Sequence, residues 1–313
     1  VTDQVGFDVV GLGQCCIDYL GRIADYPPPD AKCEFDDLTV DGGGPVSTAL
    51  VALARWGMRC AFLGVVGDDW MGGEIRRVLE SERVDTGGLL VRPDAESQFA
   101  FIVSEPTTGR RTVFWRRPTG AALRPGDVPV DLIQRSRVVH TDGLFAEASI
   151  AAARTARDAG SQVSVDAGSL RDGMLELAAL SHHFIASATF ATAFAPDSSP
   201  LEVCRRLAEM GPEVVAVTLG SRGYVAMVDG AEIEGDAYAV DAVDTTGCGD
   251  VFHAGYVYGV LRGWDVARRL DFGSWAASRV ALYLGGRRGI PAAADFSDGS
   301  LSSVQGSAFK VHG

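Results

Sequence analysis

Asp244-Thr245-Thr246-Gly247-Cys248-Gly249-Asp250-Val251-Phe252-His253-Ala254-Gly255 decides how the rest of this chain is read. Gly247 and Gly249 bracket a short turn. Behind them Val251, Phe252, Ala254, Gly255, Val257, Val260 and Leu261 predict a buried helix. A glycine turn that runs into a helix leaves backbone N–H groups unpaired at the positive end of the helix dipole. Such an end binds anions, phosphate above all. Asp250, in the first helical turn, can accept a proton from a hydroxyl nucleophile. A carboxylate alone repels phosphate, and bare amides supply no base; the two together suit phosphoryl transfer to an alcohol. A lone Gly-x-Gly-Asp could be a plain loop with a charge at a helix end. This stretch is longer and more particular than that.

Working outward, composition sets the bounds. The 313 residues are 47% hydrophobic and 22% charged, an ordinary globular composition with ample length for a large core. The net charge of −13 and the lack of any basic run exclude a nucleic-acid partner. Of 28 basic residues only Lys32 and Lys310 are lysine, so there is no Walker-type loop. Six cysteines fit neither a zinc pattern nor a disulfide framework. No apolar run is long enough to span a bilayer, and no basic-then-apolar leader opens the chain. These readings place the protein in the cytoplasm, with no membrane partner.

Upstream of the turn, strands and helices alternate, which predicts a parallel sheet flanked by helices. Asp8–Gly13 reads as a buried strand ending in glycine. Gly11-x-Gly13 lacks the third glycine of a dinucleotide fingerprint, and Ile17 to Ile23 alternates like a strand. Asp18 lies just past the first strand, where open α/β sheets gather ligand groups. A further short strand is expected over Cys33–Val40. Asp41-Gly42-Gly43-Gly44-Pro45 then precedes a helix over Val46–Trp56, a second glycine approach to a helix. Cys60–Gly67 predicts a buried strand and Glu74–Ser81 a helix, with Asp68 and Asp69 as its caps. Gln98–Ser104 and Arg111–Arg117 form a hairpin around Glu105–Gly109. Val138–Gly143, a helix over Ile150–Ala159 and the strand Gln162–Asp166 follow. His182–Phe190 reads as strand and loop; its two histidines lack a carboxylate, which favours a satisfied or exposed pair over a metal site. Val214–Thr218 ends in Thr218-x-Gly220-x-x-Gly223, with Tyr224–Val228 as the hairpin return. Helices are expected around 265–283, and the tail after about 296 is rich in Ser and Gly.

The opening stretch, with Asp250, Phe252 and Gly255 in place, closely resembles the C-terminal signature of the ribokinase-like, phosphofructokinase-B-type carbohydrate kinases. The resemblance extends over about residues 6–292, and Gly42-Gly43 is similar to the family's N-terminal signature. It implies a single ribokinase-like α/β domain over 1–313, with a central mostly parallel sheet and a small β-sheet lid formed by about 17–41 and 97–118. It implies an ATP-dependent phosphotransferase acting on a hydroxyl of a sugar or acidic sugar derivative, with Mg2+ and, as in many relatives, K+. In that picture Asp250 is the base, and the amides of Gly247, Cys248 and Gly249 form the anion hole. Asp18, Gly42, Gly43 and Ser47 orient the acceptor. Thr218, Gly220 and Gly223 contact ATP. Asp244 and Thr246, with the loop Gly285–Pro291, hold a monovalent cation. Asp166 and Arg171 fall where relatives place Asp and Arg near the phosphates, although an ion pair explains them equally. Lid-to-lid homodimers are common in such kinases, so a homodimer is expected.

The chain also departs from the family. Ser47 stands where relatives usually have Asn, which leaves open which acceptor hydroxyl is read there. Ser187 and Phe190 replace an Asn-x-x-Glu that helps place metal and phosphate. Cys248 stands where Ala is usual, and a thiol at a helix N-terminus is expected to have a lowered pKa. The strand Arg111-Thr112-Val113-Phe114-Trp115-Arg116-Arg117 looks like the aromatic-Arg strand of 2-keto-3-deoxygluconate kinases. Gly42–Pro45 and Asp250–His253 look more like sulfofructose kinases. Alternation puts Arg116 and Arg117 on opposite faces, so one of them is expected beside an anionic acceptor. The rival readings are a nucleoside kinase, which would want an aromatic platform in the lid, and a non-catalytic sugar or nucleotide sensor of the same fold.

Overall fold

A computed structural model describes residues 6–105 and 110–296 and the backbone of residues 310–312. The expected turn at 105–109 lies, past Glu105, outside the described residues, as does most of the tail after 296. The chain runs β1 (Phe7–Leu12), β2 (Cys16–Arg22), β3 (Asp37–Gly43), α1 (Pro45–Arg55), β4 (Cys60–Gly67), α2 (Trp70–Ser81), β5 (Val84–Arg92), β6 (Phe99–Glu105) and β7 (Arg110–Arg116). Then come α3 (Val130–Gln134), β8 (Ser136–Thr141), α4 (Ala146–Asp158), β9 (Gln162–Ala167), α5 (Met174–Leu180), β10 (His183–Ser187), α6 (Ala188–Phe194) and α7 (Pro200–Ala208). The last elements are β11 (Val214–Thr218), β12 (Tyr224–Val228), β13 (Ala231–Gly235), α8 (Cys248–Leu261), α9 (Val266–Val280) and β14 (Lys310–His312).

Ten strands form one sheet in the order β14-β13-β12-β11-β10-β9-β8-β1-β4-β5. From β11 to β5 every pairing is parallel, while β12, β13 and β14 are antiparallel. The buried central strands are apolar on both faces because helices cover both. Leu12, Leu63, Val139, Val165 and Phe184 face one layer, packed with α4, α5 and α7. Val9, Phe62 and Val138 face the other, with α1, α8 and α9. α8 is buried all round, and a Cβ on its Gly255 would lie 2.8 Å from Gly273 Cα of α9. The two helices therefore pack backbone to backbone. The parallel strands all end on the side where Asp142, Asp166, Ser187 and Thr218 emerge, the crevice where open α/β sheets bind ligands.

The second sheet has four strands in the order β3-β2-β6-β7; β2 pairs with β6 in parallel and the outer pairs are antiparallel. In register, Asp18 lies beside Ala100 and Ala100 beside Trp115. Leu20, Ile102 and Val113, then Arg22, Ser104 and Arg111, continue the same face. That face turns toward the large domain, where Leu20, Ala100 and Ile102 pack on Leu284.

Three local expectations need correction. The strand expected over 33–40 is β3, Asp37–Gly43, because its ladder with β2 runs from Arg22↔Asp37 to Cys16↔Gly43. The segment 182–190 is a strand that runs straight into a helix, since Ser187 Oγ accepts from the Phe190 N–H at 3.1 Å and caps α6. α2 starts at Trp70, earlier than its apolar pattern suggests, because Asp69 Oδ1 accepts from Gly72 N–H at 2.8 Å.

Candidate active site

The turn before α8 has the shape its glycines predict. Gly247 has φ of +75°, and a Cβ there would lie 2.4 Å from Gly286 Cα, so a side chain is excluded on both counts. Cys248 opens the helix, and no side chain caps it. A Cβ on Gly249 would meet nothing within 4 Å, so the space in front of these amides is open. It continues into a cavity of about 460 Å³. Thr218, Gly220 and Gly223 line one wall of the cavity, and Thr245, Cys248 and Gly249 line another. Much of the rest of the lining is apolar, with Ala237, Ala239, Ala277 and Ala281 beside Tyr238 and Phe252, which suits the flat ring of a nucleobase. Thr218, Gly220 and Gly223 thus share one cavity with Cys248 and Gly249, and it ends at the glycine turn before α8.

Asp250 is half-buried at that turn. Its pKa is pushed up to about 7, first by burial and then by Asp166, with Asp18 adding and His253 and Arg111 opposing. A carboxylate poised near neutrality is a competent proton acceptor. Behind it, His253 Nε2 lies 3.1 Å from Asp166 Oδ1, and both side chains are buried. Burial pushes Asp166 up, but His253, with His140 and Arg171 adding, outweighs it and holds the carboxyl below its ordinary value. The direct contact of Asp166 is with His253, and Arg171 acts on it only through its charge. Arg171 donates from Nε to Ser169 Oγ at 2.9 Å and keeps a buried, unpartnered Nη1. The Cys248 thiol corrects an expectation. Burial pushes its pKa up to about 12, and the opposing pull of Arg111 is too weak to reverse this.

Asp18, Gly42, Gly43 and Ser47 come together beside this turn, across the start of α1. Cβ atoms on Gly43 and Gly42 would lie 2.0 Å from Asp18 Oδ2 and 2.1 Å from Arg287 Nη1. The glycines are therefore required by the approach of two charged side chains. Ser47 Oγ donates to Gly43 O at 2.5 Å and accepts from Arg287 Nη2 at 3.1 Å. Arg287 is only 3% exposed, and burial lowers its pKa. Nothing in the sequence signalled Arg287 here; the Ser in place of Asn only left open which acceptor hydroxyl is read. Burial raises the pKa of Asp18, against the Cys16 thiol that donates to it at 3.0 Å and against Arg287.

The small sheet contributes its site-facing row. Arg116 is not in that row: it sits in register with Phe99 on the opposite face and pairs with Glu96. That is a correction, and its cause is the strand register, which alternation alone could not phase. Arg117, one residue past β7, lays its guanidinium 5.0 Å from the centre of the Trp115 ring, which is on the Asp18 face. Arg111, not singled out from sequence, donates from Nη1 to Thr245 Oγ1 at the anion-binding turn.

Asp244 ties two loops. Its Oδ1 accepts from the N–H and hydroxyl of Thr246 at 3.0 and 2.8 Å, and its Oδ2 accepts from the Gly285 N–H at 2.9 Å. No group of three or more His, Cys, Asp or Glu that could hold a metal occurs among the described residues. Ser187 is committed to capping α6 and to Gly168 O at 2.8 Å. The residues present do not fit a magnesium ion caged by protein side chains alone.

A glycine turn that opens a helix without a side-chain cap, a carboxyl held near neutrality beside it and an adjoining cavity together suit phosphoryl transfer to an alcohol. The chain matches the description "pfkB family carbohydrate kinase" over residues 7–293 and belongs to that family; it is a sugar kinase. It is 28% identical to a nucleoside kinase of Methanothermobacter thermautotrophicus, over 91% of this chain and 92% of that protein. It is 26% identical to a 5-dehydro-2-deoxygluconokinase of Shouchella clausii, over 88% of this chain and 89% of that protein. A provisionally assigned ribokinase of Agrobacterium tumefaciens has a similar crystal structure, with a TM-score of 0.85, 26% identity and coverage of 93% and 96% of the two chains. Membership implies ATP and Mg2+. Among the described residues no helix is long and apolar enough to cross a membrane.

Proposed function

We propose that this kinase phosphorylates a primary hydroxyl of an anionic sugar, and that Arg117 over Trp115 on the Asp18 face is the observation that carries the reading. An exposed guanidinium held on an aromatic ring, on the same sheet face as Asp18 and two strands from it, meets a carboxylate or sulfonate in a fork, which a neutral hydroxyl does not need. Asp18, Gly42 and Gly43 present the sugar, and Ser47 is held by Arg287 as the polar end of that wall. ATP lies in the cavity between Thr218–Gly223 and Cys248, with its terminal phosphate at the amides of Gly247, Cys248 and Gly249. Asp250 takes the hydroxyl proton as the acceptor oxygen attacks. Those amides stabilise the charge that develops on the transferred group. Magnesium arrives on the ATP phosphates. A potassium-class cation sits between the Asp244–Thr246 and Gly285–Pro291 loops that Asp244 bridges.

In this reading the four-stranded sheet is the lid of a single domain over 1–313. Its outer face leaves Leu38, Val40 and Phe114 exposed, which supports a homodimer formed lid to lid. Six unpaired cysteines accord with a cytoplasmic protein. A second reading, a nucleoside kinase, is favoured by the half-exposed Trp115, a platform for a base. ATP turnover with ketodeoxygluconate, sulfofructose, fructose, ribose and adenosine, repeated with Arg117→Ala, tests both. An anionic sugar should lead, and its advantage should shrink about 10-fold or more in Arg117→Ala, the scale of a charged hydrogen bond. A preference for neutral sugars that Arg117→Ala leaves intact refutes the anionic reading, and a preference for adenosine selects the second.

A further inference from the structure

Gln98 lies one residue before β6, on the sheet face that carries Asp18. Ile17 pairs with Phe99 in parallel, and the Ile17 N–H donates to Gln98 O at 3.3 Å. That register, carried one residue further, puts Gln98 beside Cys16. Phe99 also pairs with Arg116, so Gln98 has Arg117 on its other side. Alternation gives Cys16 and Asp18 one face of β2, and Gln98 and Ala100 the same face of the sheet. The backbone before Gln98 is pinned. The Ser97 N–H and hydroxyl donate to the Asp69 carboxylate at 2.8 and 2.6 Å, and the Thr119 N–H donates to Glu96 O at 3.1 Å. Gln98 is 4% exposed, and its amide Nε2 is buried with no hydrogen-bond partner among the described residues. A buried donor left unpaired destabilises the fold, and an apolar side chain of similar shape carries no such penalty. An amide kept at this position points to a partner from outside the chain.

We propose that Gln98 is an acceptor-binding residue, whose amide turns onto the sugar held by Asp18 and donates to a hydroxyl or carbonyl oxygen of it. This rests on the reading that the acceptor lies on the Asp18 face. The two groups are complementary. A carboxylate only accepts, so Asp18 takes a sugar hydroxyl as donor; an amide nitrogen only donates, so Gln98 takes a sugar oxygen as acceptor. Rows on one sheet face repeat about every 6.6 Å, and neighbouring strands lie about 4.8 Å apart. Side chains of this length, one row and one strand apart, converge on a single sugar-sized molecule. Gln98 is neutral, and the oxygen it reads occurs in neutral and anionic sugars alike. It therefore sets how tightly any acceptor sits, while Arg117, next to it in the row, sets the preference for an anion. The hydrogen bond that Nε2 lacks within the folded chain is made when the acceptor binds, from a backbone already fixed by Ser97 and Ile17.

The test is steady-state kinetics at saturating Mg-ATP on ketodeoxygluconate, sulfofructose, fructose and ribose, with melting curves alongside. Wild type is compared with Gln98→Leu, Gln98→Asn, Asp18→Asn and Arg117→Ala. Gln98→Leu should raise KM about 3- to 10-fold, the range for a neutral hydrogen bond, with most of the loss in KM rather than kcat. The factor should be the same for every sugar turned over, neutral or anionic, whereas Arg117→Ala should lose on the anionic sugars alone. Gln98→Leu should also melt no lower than the wild type, because an apolar group replaces an unpaired polar one. Gln98→Asn keeps the amide but draws it back by one methylene, so its KM should rise as well; it carries the test should Gln98→Leu fail to fold. A wild-type KM for every sugar in both Gln98 variants, or a loss confined to the anionic sugars, would overturn the proposal. If Asp18→Asn still raises KM in that event, the acceptor face stands and only Gln98 leaves it. If Asp18→Asn leaves KM unchanged too, the reading of that face falls and takes the Gln98 contact with it.

Discussion

The molecule contains the same local device twice, and only one copy is open. α1 and α8 each start from a glycine with positive φ, Gly44 at +96° and Gly247 at +75°, and neither has a side-chain cap. Each start leaves first-turn N–H groups without a partner four residues back, at the positive end of a dipole, although at α1 Pro45 has no N–H and the Ser47 N–H donates to Gln14 O at 3.4 Å. At α1 the protein fills the approach itself: the Asp18 carboxylate lies on Gly43 and the Arg287 guanidinium on Gly42. At α8 the approach past Gly249 is empty and leads into the cavity. Glycine before a helix thus specifies close approach, and the tertiary neighbours decide whether a protein group or an anion makes it. In the proposed reading the closed copy reads a sugar through Asp18, while the open copy takes the phosphate.

The largest effect should come from the open copy. Asp250→Asn keeps the shape and removes the proton acceptor, so kcat should fall roughly 10²- to 10⁴-fold while Mg-ATP binding survives. Turnover within a fewfold of the wild type would end the assignment of the base. At the closed copy the effect should be on folding instead. Arg287→Ala empties a buried space and strips donors from Ser47, Thr48 and Gly43. A loss of about 2–4 kcal/mol in urea unfolding is expected, from the cavity and the orphaned acceptors together, with Mg-ADP binding by the folded fraction unchanged. Intact stability with a raised KM for the acceptor would recast Arg287 as a ligand contact and weaken the contrast between the two turns.

How far the sequence reached follows the same contrast. Features carried by local backbone chemistry were legible: the Gly247–Asp250 turn, the buried strands such as Cys60–Gly67, and the Asp69 cap of α2. What depends on which element lies opposite was not. Phasing β7 against β6 needs the register, and without it Arg116 looked as good as Arg117, while Arg111 drew no notice beyond opening the strand. Arg287 was read only as part of a cation loop, because its burial beside Ser47 joins segments 240 residues apart. β5 escaped notice since Gly87, Gly88 and an exposed Asp85 blur its alternation, although pairing with β4 holds it. The Ser187 cap was hidden by its likeness to a site position, where a missing Asn seemed more informative than a present serine.

A smaller effect concerns proton affinity at the open turn. With a pKa of about 7, Asp250 is largely protonated under acid conditions. Its carboxylate is the working form, so kcat/KM should fall about tenfold per unit as pH drops below about 7 and should level above it. The stability sign runs the other way. The folded state holds this proton more tightly than the unfolded chain does. The contribution is therefore full below the unfolded carboxyl value and is lost as pH rises through about 7. Melting curves should show Asp250→Asn gaining on the wild type between about pH 5 and pH 8. A constant gap, or a rate profile flat down to pH 5, would mean that burial and the Asp166 charge do not raise the proton affinity of Asp250.

The smallest expected effect is at Cys248, and it asks whether the dipole or burial governs the open turn. Helix position alone lowers a thiol pKa, and by that logic Cys248 should be the first cysteine to react. The structure sets burial against it, first among the influences on this thiol, with Asp244 and Asp250 adding and Arg111 opposing. At a pKa near 12 almost none of the thiol is ionised at neutral pH, so iodoacetamide should modify the exposed Cys33 well before Cys248. Cys248→Ala should leave kcat and KM within about threefold, because the backbone amide, which Ala retains, is what the anion hole uses. Peptide mapping after timed labelling, with and without Mg-ATP, gives the order directly. Rapid labelling of Cys248 that Mg-ATP blocks would show the dipole prevailing over burial, and would make the open turn more electropositive than its neighbours imply.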